Sequence, residues 1–179
     1  MSAARLASRY AKALLDLSIE HTQLERVYQD VQAFNNALQN RDFLMMVKSP
    51  IVHSPKKMAV MQRIFGDNFH EITSRFIKII VRKHREFYLP EIVDAFINQY
   101  RKHNKIATAT LVTATDVDQQ TIDKVKQIVL TSTGNTSVEL DTSVDPSLIG
   151  GFILKYDDKL YDASVAHKLE KLQAKFEEN

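Results

Sequence analysis

Cysteine and tryptophan are absent from the 179 residues, and glycine and proline occur only four times each. Without cysteine there is no disulfide framework, no thiol nucleophile and no zinc site built on thiolates. With so little glycine a phosphate-cradling fold is not expected, and neither Gly-x-x-x-x-Gly-Lys-Ser/Thr nor Gly-x-Gly-x-x-Gly occurs. Long apolar runs are missing too. The richest, Phe76 to Val81, is interrupted by Lys78 and followed by Arg82, Lys83 and Arg85, far short of the roughly 20 apolar residues that cross a bilayer. The Ala- and Ser-rich start with Arg5, Arg9 and Lys12 imitates a transit peptide. Asp16 and Glu20 continue its periodicity, however, so a folded first helix is expected.

What is present is an ordinary globular composition, 44% hydrophobic and 26% charged, in a chain long enough to bury a real core. The net charge of +2 hides a division. Residues 1–105 hold 17 Lys and Arg against 10 Asp and Glu, a balance of +7, and residues 106–179 hold 7 against 12, a balance of −5. The pattern changes at the same place, from helical periodicity to the Thr- and Val-rich run Ala107 to Thr115. Two domains, 1–105 and 106–179, are expected.

The first part reads as six helices. Leu6, Tyr10, Ala13 and Leu17 share one face of the first, beside a second apolar line of Ala7, Ala11 and Leu14, which is more apolar surface than one neighbour needs. Leu24, Val27, Val31, Phe34 and Leu38 mark the second helix. Phe43, Leu44 and Val47 mark a short third one ending before Pro50. Ser54-Pro55 reads as the cap and first turn of a fourth through Met58, Met61 and Phe65 to Gly66. Ile72, Phe76, Ile79 and Ile80 define the fifth, and Pro90 opens a sixth bearing Ile92, Val93, Phe96, Ile97 and Tyr100.

The second part mixes elements. A strand is expected over Ile106 to Thr113, then a helix capped by Asp118 and ended by Gly134, and a strand around Val138 and Leu140. A hairpin of Gly151 to Tyr156 with Lys159 to Asp162 would turn at Asp157-Asp158. A last helix beginning near Asp162 would place Val165, Leu169, Leu172 and Phe176 on one stripe. The fold class is α+β, mainly α: a six-helix bundle followed by a small α/β domain.

Catalytic chemistry is not found. The histidines at 21, 53, 70, 84, 103 and 167 form no metal-ligand spacing, so neither a metal nor a cofactor is expected. Gly150-Gly151 reads as a bulge or close backbone contact, and Asp157, Asp158 and Asp162 as turn and cap residues. Arg75, Lys78, Arg82 and Arg85, at steps of three, four and three, form a basic stripe beside the apolar line of the fifth helix. Such a stripe is a solvated face, a rim for an acidic amphipathic helix, or a nucleic-acid surface. The last lacks interleaved aromatics and a recognition-helix motif, and a basic nucleic-acid-binding helical module stays as the alternative reading.

Ser8-Arg9-Tyr10-Ala11-Lys12-Ala13-Leu14, Lys83-His84-Arg85 before Leu89-Pro90-Glu91-Ile92, and Val112-Thr113-Ala114 resemble the delta subunit of bacterial F-type ATP synthases. So do Asp145-Pro146-Ser147-Leu148-Ile149-Gly150-Gly151 and Asp162-Ala163-Ser164-Val165. That family is related to the mitochondrial oligomycin-sensitivity-conferring protein. The likeness runs nearly end to end, and the Asp-Pro-Ser-Leu-Ile-Gly-Gly block with its Asp-x-Ser-Val sequel is its most specific part. Lys83 and His84 stand where the family usually has Asn and Gly, and Phe152 replaces a smaller aliphatic residue.

The resemblance implies a non-catalytic peripheral-stalk (stator) subunit, one copy per complex, on the cytoplasmic face of a bacterial inner membrane and without a membrane span of its own. The N-terminal domain would bind the N-terminal segment of an alpha subunit in a groove of Leu6, Tyr10, Ala13, Leu14, Leu17, Phe76, Ile79 and Ile80, rimmed by Arg75, Lys78, Arg82 and Arg85. The C-terminal domain would meet the b subunits, with Asp145, Pro146, Leu148, Gly150, Gly151, Asp162, Ser164, Val165, Leu169 and Leu172 as its motif residues. No nucleic acid is expected as a partner.

Overall fold

The computed structural model describes residues 3–66, 68–156 and 159–169. Six helices come first: α1 (Ala3–Glu20), α2 (Leu24–Leu38), α3 (Arg41–Lys48), α4 (Ser54–Phe65), α5 (Glu71–Arg82) and α6 (Leu89–His103), the last entered through a single 3-10 turn at Glu86–Tyr88. An α/β part follows, with β1 (Ile106–Thr113), α7 (Gln119–Thr133), β2 (Ser137–Val144), β3 (Phe152–Tyr156) and β4 (Lys159–Asp162). The chain divides into two compact units, Met1–Tyr100 and Arg101–Asn179. The mainly helical α+β class read from the sequence is the observed one.

In the first unit the small side chains Ala7 and Ala11 of α1 are fully buried with Leu14 and Leu15, which lets α1 lie close against its neighbours. Phe34, Phe43 and Phe65, from α2, α3 and α4, meet with ring centroids 5.4–5.9 Å apart, and Phe69 stacks on Phe65 at 4.5 Å. Helix ends are tied by side chains. Asn40 Oδ1 accepts from the Asp42 and Phe43 N–H groups and starts α3. At the start of α5, Asp30 of α2, only 3% exposed, accepts from the His70 N–H at 2.7 Å and the Thr73 hydroxyl at 2.8 Å.

Two expectations are corrected here. Ser54 does not cap α4: His53 holds the cap position without a side-chain bond, and Ser54 is already helical. Its hydroxyl donates instead to Glu86 Oε1 at 2.9 Å, and the buried Lys57 ammonium reaches the same carboxylate at 3.3 Å and the Val47 carbonyl at 2.9 Å. The buried line of α5 is Thr73, Ile77, Ile80 and Val81 rather than Ile72, Phe76, Ile79 and Ile80. Thr73 is drawn inward by Asp30, which turns the helix so that Phe76 and Ile79 are left at the surface.

The second unit is a four-stranded sheet in the order β2-β1-β3-β4. β1 pairs parallel with β2 through the α7 crossover, and antiparallel with β3, which pairs antiparallel with β4. Ala107, Ala109 and Leu111 point to one face of β1 and form a core with Val125 and Val129 of α7 and Leu154 of β3. Asp118 caps α7 and Gly134, at φ 67°, ends it, as the sequence suggests. After β4, Ser164 takes the helix cap expected near Asp162: its hydroxyl accepts from the His167 N–H at 3.2 Å, and Asp162 accepts from the Ser164 N–H at 2.9 Å. Residues 165–169 are helical. Leu172, Phe176 and the Asp157-Asp158 turn lie outside the described residues.

Candidate functional site

The surplus apolar line of α1 lies at the surface. Leu6 and Tyr10 are half-buried and Ala13 is exposed, while Leu17 keeps 40% of its surface. α5 lies alongside and contributes half-buried Phe76 and Ile79, 43% exposed. The two lines touch where the Tyr10 ring meets Phe76 edge to face at 6.3 Å. The result is an elongated apolar strip between two helices, open to solvent. Leu14 and Ile80, expected on this surface, lie in the bundle core beneath it, because they belong to the inward stripes of their helices.

The basic residues do not act as one rim. Arg85 lies beyond the end of α5, after His84, which adopts a left-handed φ of 55°; the turn survives with histidine at the position where glycine is the easier choice. That turn sends the Arg85 guanidinium to the phenol oxygen of Tyr10 at 2.5 Å, its carbon 5.5 Å from the ring centre. Arg75 pairs with Glu71 one turn back. Lys78 faces the other way, onto an open cleft of about 270 Å³ between α4 and α5 lined by Met58, Met61, Phe65 and Ile77. Arg82 is exposed.

Below α5, burial works against ionisation of Glu86, but donors from its own backbone, Ser54 and Lys57 outweigh it and hold the carboxyl below the ordinary range. This cluster was not visible in the sequence, since its members come from α4, the 3-10 turn and the end of α3. Lys57 and Ser54 both engage Glu86 Oε1, while Glu86 Oε2 is buried without a hydrogen-bond partner among the described residues.

In the second unit, Asp145 accepts from the Ser147 N–H and caps a short 3-10 turn, Pro146–Leu148, that buries Leu148. Gly151 has a φ of 79°, and a Cβ there would lie 2.4 Å from the Ala163 carbonyl oxygen. The close backbone contact expected of the glycine pair is therefore present, joining the Asp-Pro-Ser motif to the Asp-x-Ser-Val segment. Val165 packs against Gly150, and Leu169 is exposed. Among the described residues no group of three His, Asp or Glu side chains could hold a metal ion, and no helix is long and apolar enough to cross a membrane.

The family model of the ATP synthase delta (OSCP) subunit matches residues 6–176. The chain belongs to this family. Among its relatives, the ATP synthase subunit delta of Cytophaga hutchinsonii is 34% identical over 99% of this chain and 97% of the relative. That of Amoebophilus asiaticus is 32% identical over 96% and 94%. A chain of the cryo-EM structure of the Toxoplasma gondii mitochondrial ATP synthase hexamer superimposes with a TM-score of 0.75 at 28% identity, covering 96% of this chain and 97% of that one. In this delta-family chain the α1–α5 strip and the glycine-pair motif both lie within the matched residues 6–176.

Proposed function

We propose that this delta-family chain is a non-catalytic peripheral-stalk subunit of an F-type ATP synthase. In this reading its helical unit holds the N-terminal segment of an alpha subunit and its α/β unit holds the b subunits, so that the catalytic head resists the torque of the rotor. The observation that carries the reading is the exposed strip of Leu6, Tyr10, Ala13 and Leu17 beside Phe76 and Ile79. It has the length and apolarity to seat one face of an amphipathic helix, and Arg85 at its edge would meet an acidic residue on that helix. The chain would work as a peripheral member of a membrane-bound complex, on the cytoplasmic side in a bacterium. The nucleic-acid reading gains nothing from this geometry, because Arg75, Lys78 and Arg85 face three different environments.

Tagging the chain at its C-terminus, purifying it from its native membranes and identifying the co-purifying proteins tests the assignment. Alpha and b subunits are expected to co-purify with it as one complex. Their absence, with nucleic acid retained instead, would sink it.

A further inference from the structure

Three consecutive residues after α5 are held by two different helices. His84 lies just past the end of α5 at a left-handed φ of 55°. Its N–H donates to the Val81 carbonyl at 2.9 Å, and the Arg85 N–H donates to the Ile80 carbonyl at 3.1 Å. These two bonds are the Schellman pair that ends a helix, and glycine is the usual residue at its left-handed position. Histidine is disfavoured there, because its Cβ crowds the following carbonyl oxygen. Something outside the turn must favour it.

A chain of hydrogen bonds does so. His84 Nδ1 lies 3.2 Å from the Ser54 hydroxyl oxygen, and that hydroxyl donates its one proton to Glu86 Oε1 at 2.9 Å. The Glu86 carboxyl is ionised at neutral pH and can only accept. Ser54 therefore has no proton left for the imidazole, so His84 Nδ1 carries a proton and donates it. The order runs from His84 to Ser54 to Glu86, whose Oε1 also accepts from the buried Lys57 ammonium at 3.3 Å. This direction excludes Ser54 as a nucleophile served by His84, since a base would have to accept the serine proton.

His84 and Glu86 are thus both fastened to Ser54 of α4, and Arg85 between them reaches Tyr10 of α1. Ser54, Lys57, His84 and Glu86 all line an open cleft of about 470 Å³ that shares no described residue with the α1–α5 strip. Any effect they have on docking in the strip must pass through Arg85. We infer that His84 is a positioning residue: its bond to Ser54 fixes the turn that delivers the Arg85 guanidinium to the end of the strip. It thereby sets how firmly that end holds an acidic side chain of a docked helix. The inference rests on the reading of the strip as a helix seat and deepens it, by tracing its cationic end to a contact made outside it.

The test uses the full chain and a synthetic peptide of the N-terminal segment of the alpha subunit from the same organism. Calorimetry reads the affinity, and NMR reads the Tyr10 ring resonances. His84→Gly suits the left-handed turn but removes the donor. Its melting temperature is expected to hold or rise, while the peptide binds about three- to fivefold more weakly, the upper end for one exposed charge pair. His84→Asn keeps a donor at the place of Nδ1 and tolerates the left-handed backbone, so it is expected to restore binding. In an Arg85→Ala background, His84→Gly is expected to add nothing. The Tyr10 resonances should move in His84→Gly and stay in His84→Asn. Equal binding by the parent and His84→Gly, a loss that persists without Arg85, or no rescue by asparagine overturns the positioning role and leaves the helix seat standing. A parent that does not bind the peptide overturns the helix seat, and the Tyr10 resonances then decide the positioning role alone.

Discussion

Arg85 and Tyr10, 75 positions apart in sequence, are joined by a guanidinium-to-phenol hydrogen bond of 2.5 Å. This contact fixes one end of the α1–α5 strip and leaves the rest of it without cover. Residues further along it can therefore be changed without touching the bundle core.

Ala13→Asp is the cleanest such change, because Ala13 is exposed and the fold does not depend on it. Desolvating the new carboxylate under a docked apolar helix should cost at least ~2 kcal/mol, or about thirtyfold in affinity for the alpha-subunit segment. Calorimetry reads the affinity and circular dichroism the fold. Unchanged binding would remove α1 from the site.

Replacing Arg85 by Glu should act on the rate of encounter. Surface charges are screened beyond roughly 8 Å at physiological salt, so association with an acidic segment should slow at low ionic strength and recover as salt is added. Arg75→Glu, which breaks only a local pair with Glu71, should have the smaller effect. Stopped-flow measurements over a salt series separate the two, and equal behaviour would return Arg85 to the solvated surface.

Asp30→Ala should destabilise the helical unit by about 2–4 kcal/mol, since it strands the buried Thr73 hydroxyl and removes the acceptor at the start of α5. Urea unfolding of the full chain gives the number. A loss under about 0.5 kcal/mol, the usual range for a surface substitution, would mean that water replaces the carboxylate.

Stability should also depend on pH through Glu86. Its folded carboxyl titrates below the ordinary value of 4.5, so the folded state binds the proton less tightly than the unfolded one. The contribution is in place above pH 4.5 and is lost as pH falls through the lower, folded value. Glu86→Gln should flatten that acid limb, and Glu86→Ala should cost ~3–5 kcal/mol at neutral pH by leaving Lys57 buried without its partner. Urea midpoints between pH 3 and 7 check both.

Gly151→Ala should unsettle the α/β unit selectively, because the added Cβ would meet the Ala163 carbonyl oxygen at 2.4 Å on a backbone that already disfavours it. Gly150→Ala meets only Val165 Cγ2 at 3.1 Å and should cost less. Hydrogen exchange resolved by segment would show protection lost in β1 and β3 and kept in α2 and α6. Equal protection throughout would show that the backbone contact is not demanding.

Periodicity carried most of the architecture. Helices with a single strong stripe, such as α2 and α6, follow their apolar spacing closely, and Pro90 in the first turn of α6, like Asp118 and Gly134 at the two ends of α7, marks a boundary through local backbone chemistry alone. Periodicity failed where two apolar lines compete on one helix. On α5, Ile77 rather than Phe76 is buried, because Asp30, forty residues away, draws Thr73 inward. At Ser54 the local Ser-Pro pair reads as a cap, whereas a different non-local contact commits its hydroxyl to Glu86. Ile149 lies within the Asp-Pro-Ser-Leu-Ile-Gly-Gly block, but its φ of 64° is a property of the backbone that a string of letters does not display.

The strand order β2-β1-β3-β4 has a consequence for biosynthesis. β1 is the first strand to be made and lies in the interior of the sheet, so both of its edges stay unpaired until α7, β2 and β3 have followed. At roughly 5–20 residues per second on the ribosome that wait lasts a few seconds. β1 reads Ile-Ala-Thr-Ala-Thr-Leu-Val-Thr, and Thr108 and Thr110 interrupt what would otherwise be an unbroken apolar strand of the kind that pairs between nascent chains. Thr108 is exposed and Thr110 half-buried on the face away from the core, so the strand keeps a polar side while its edges wait.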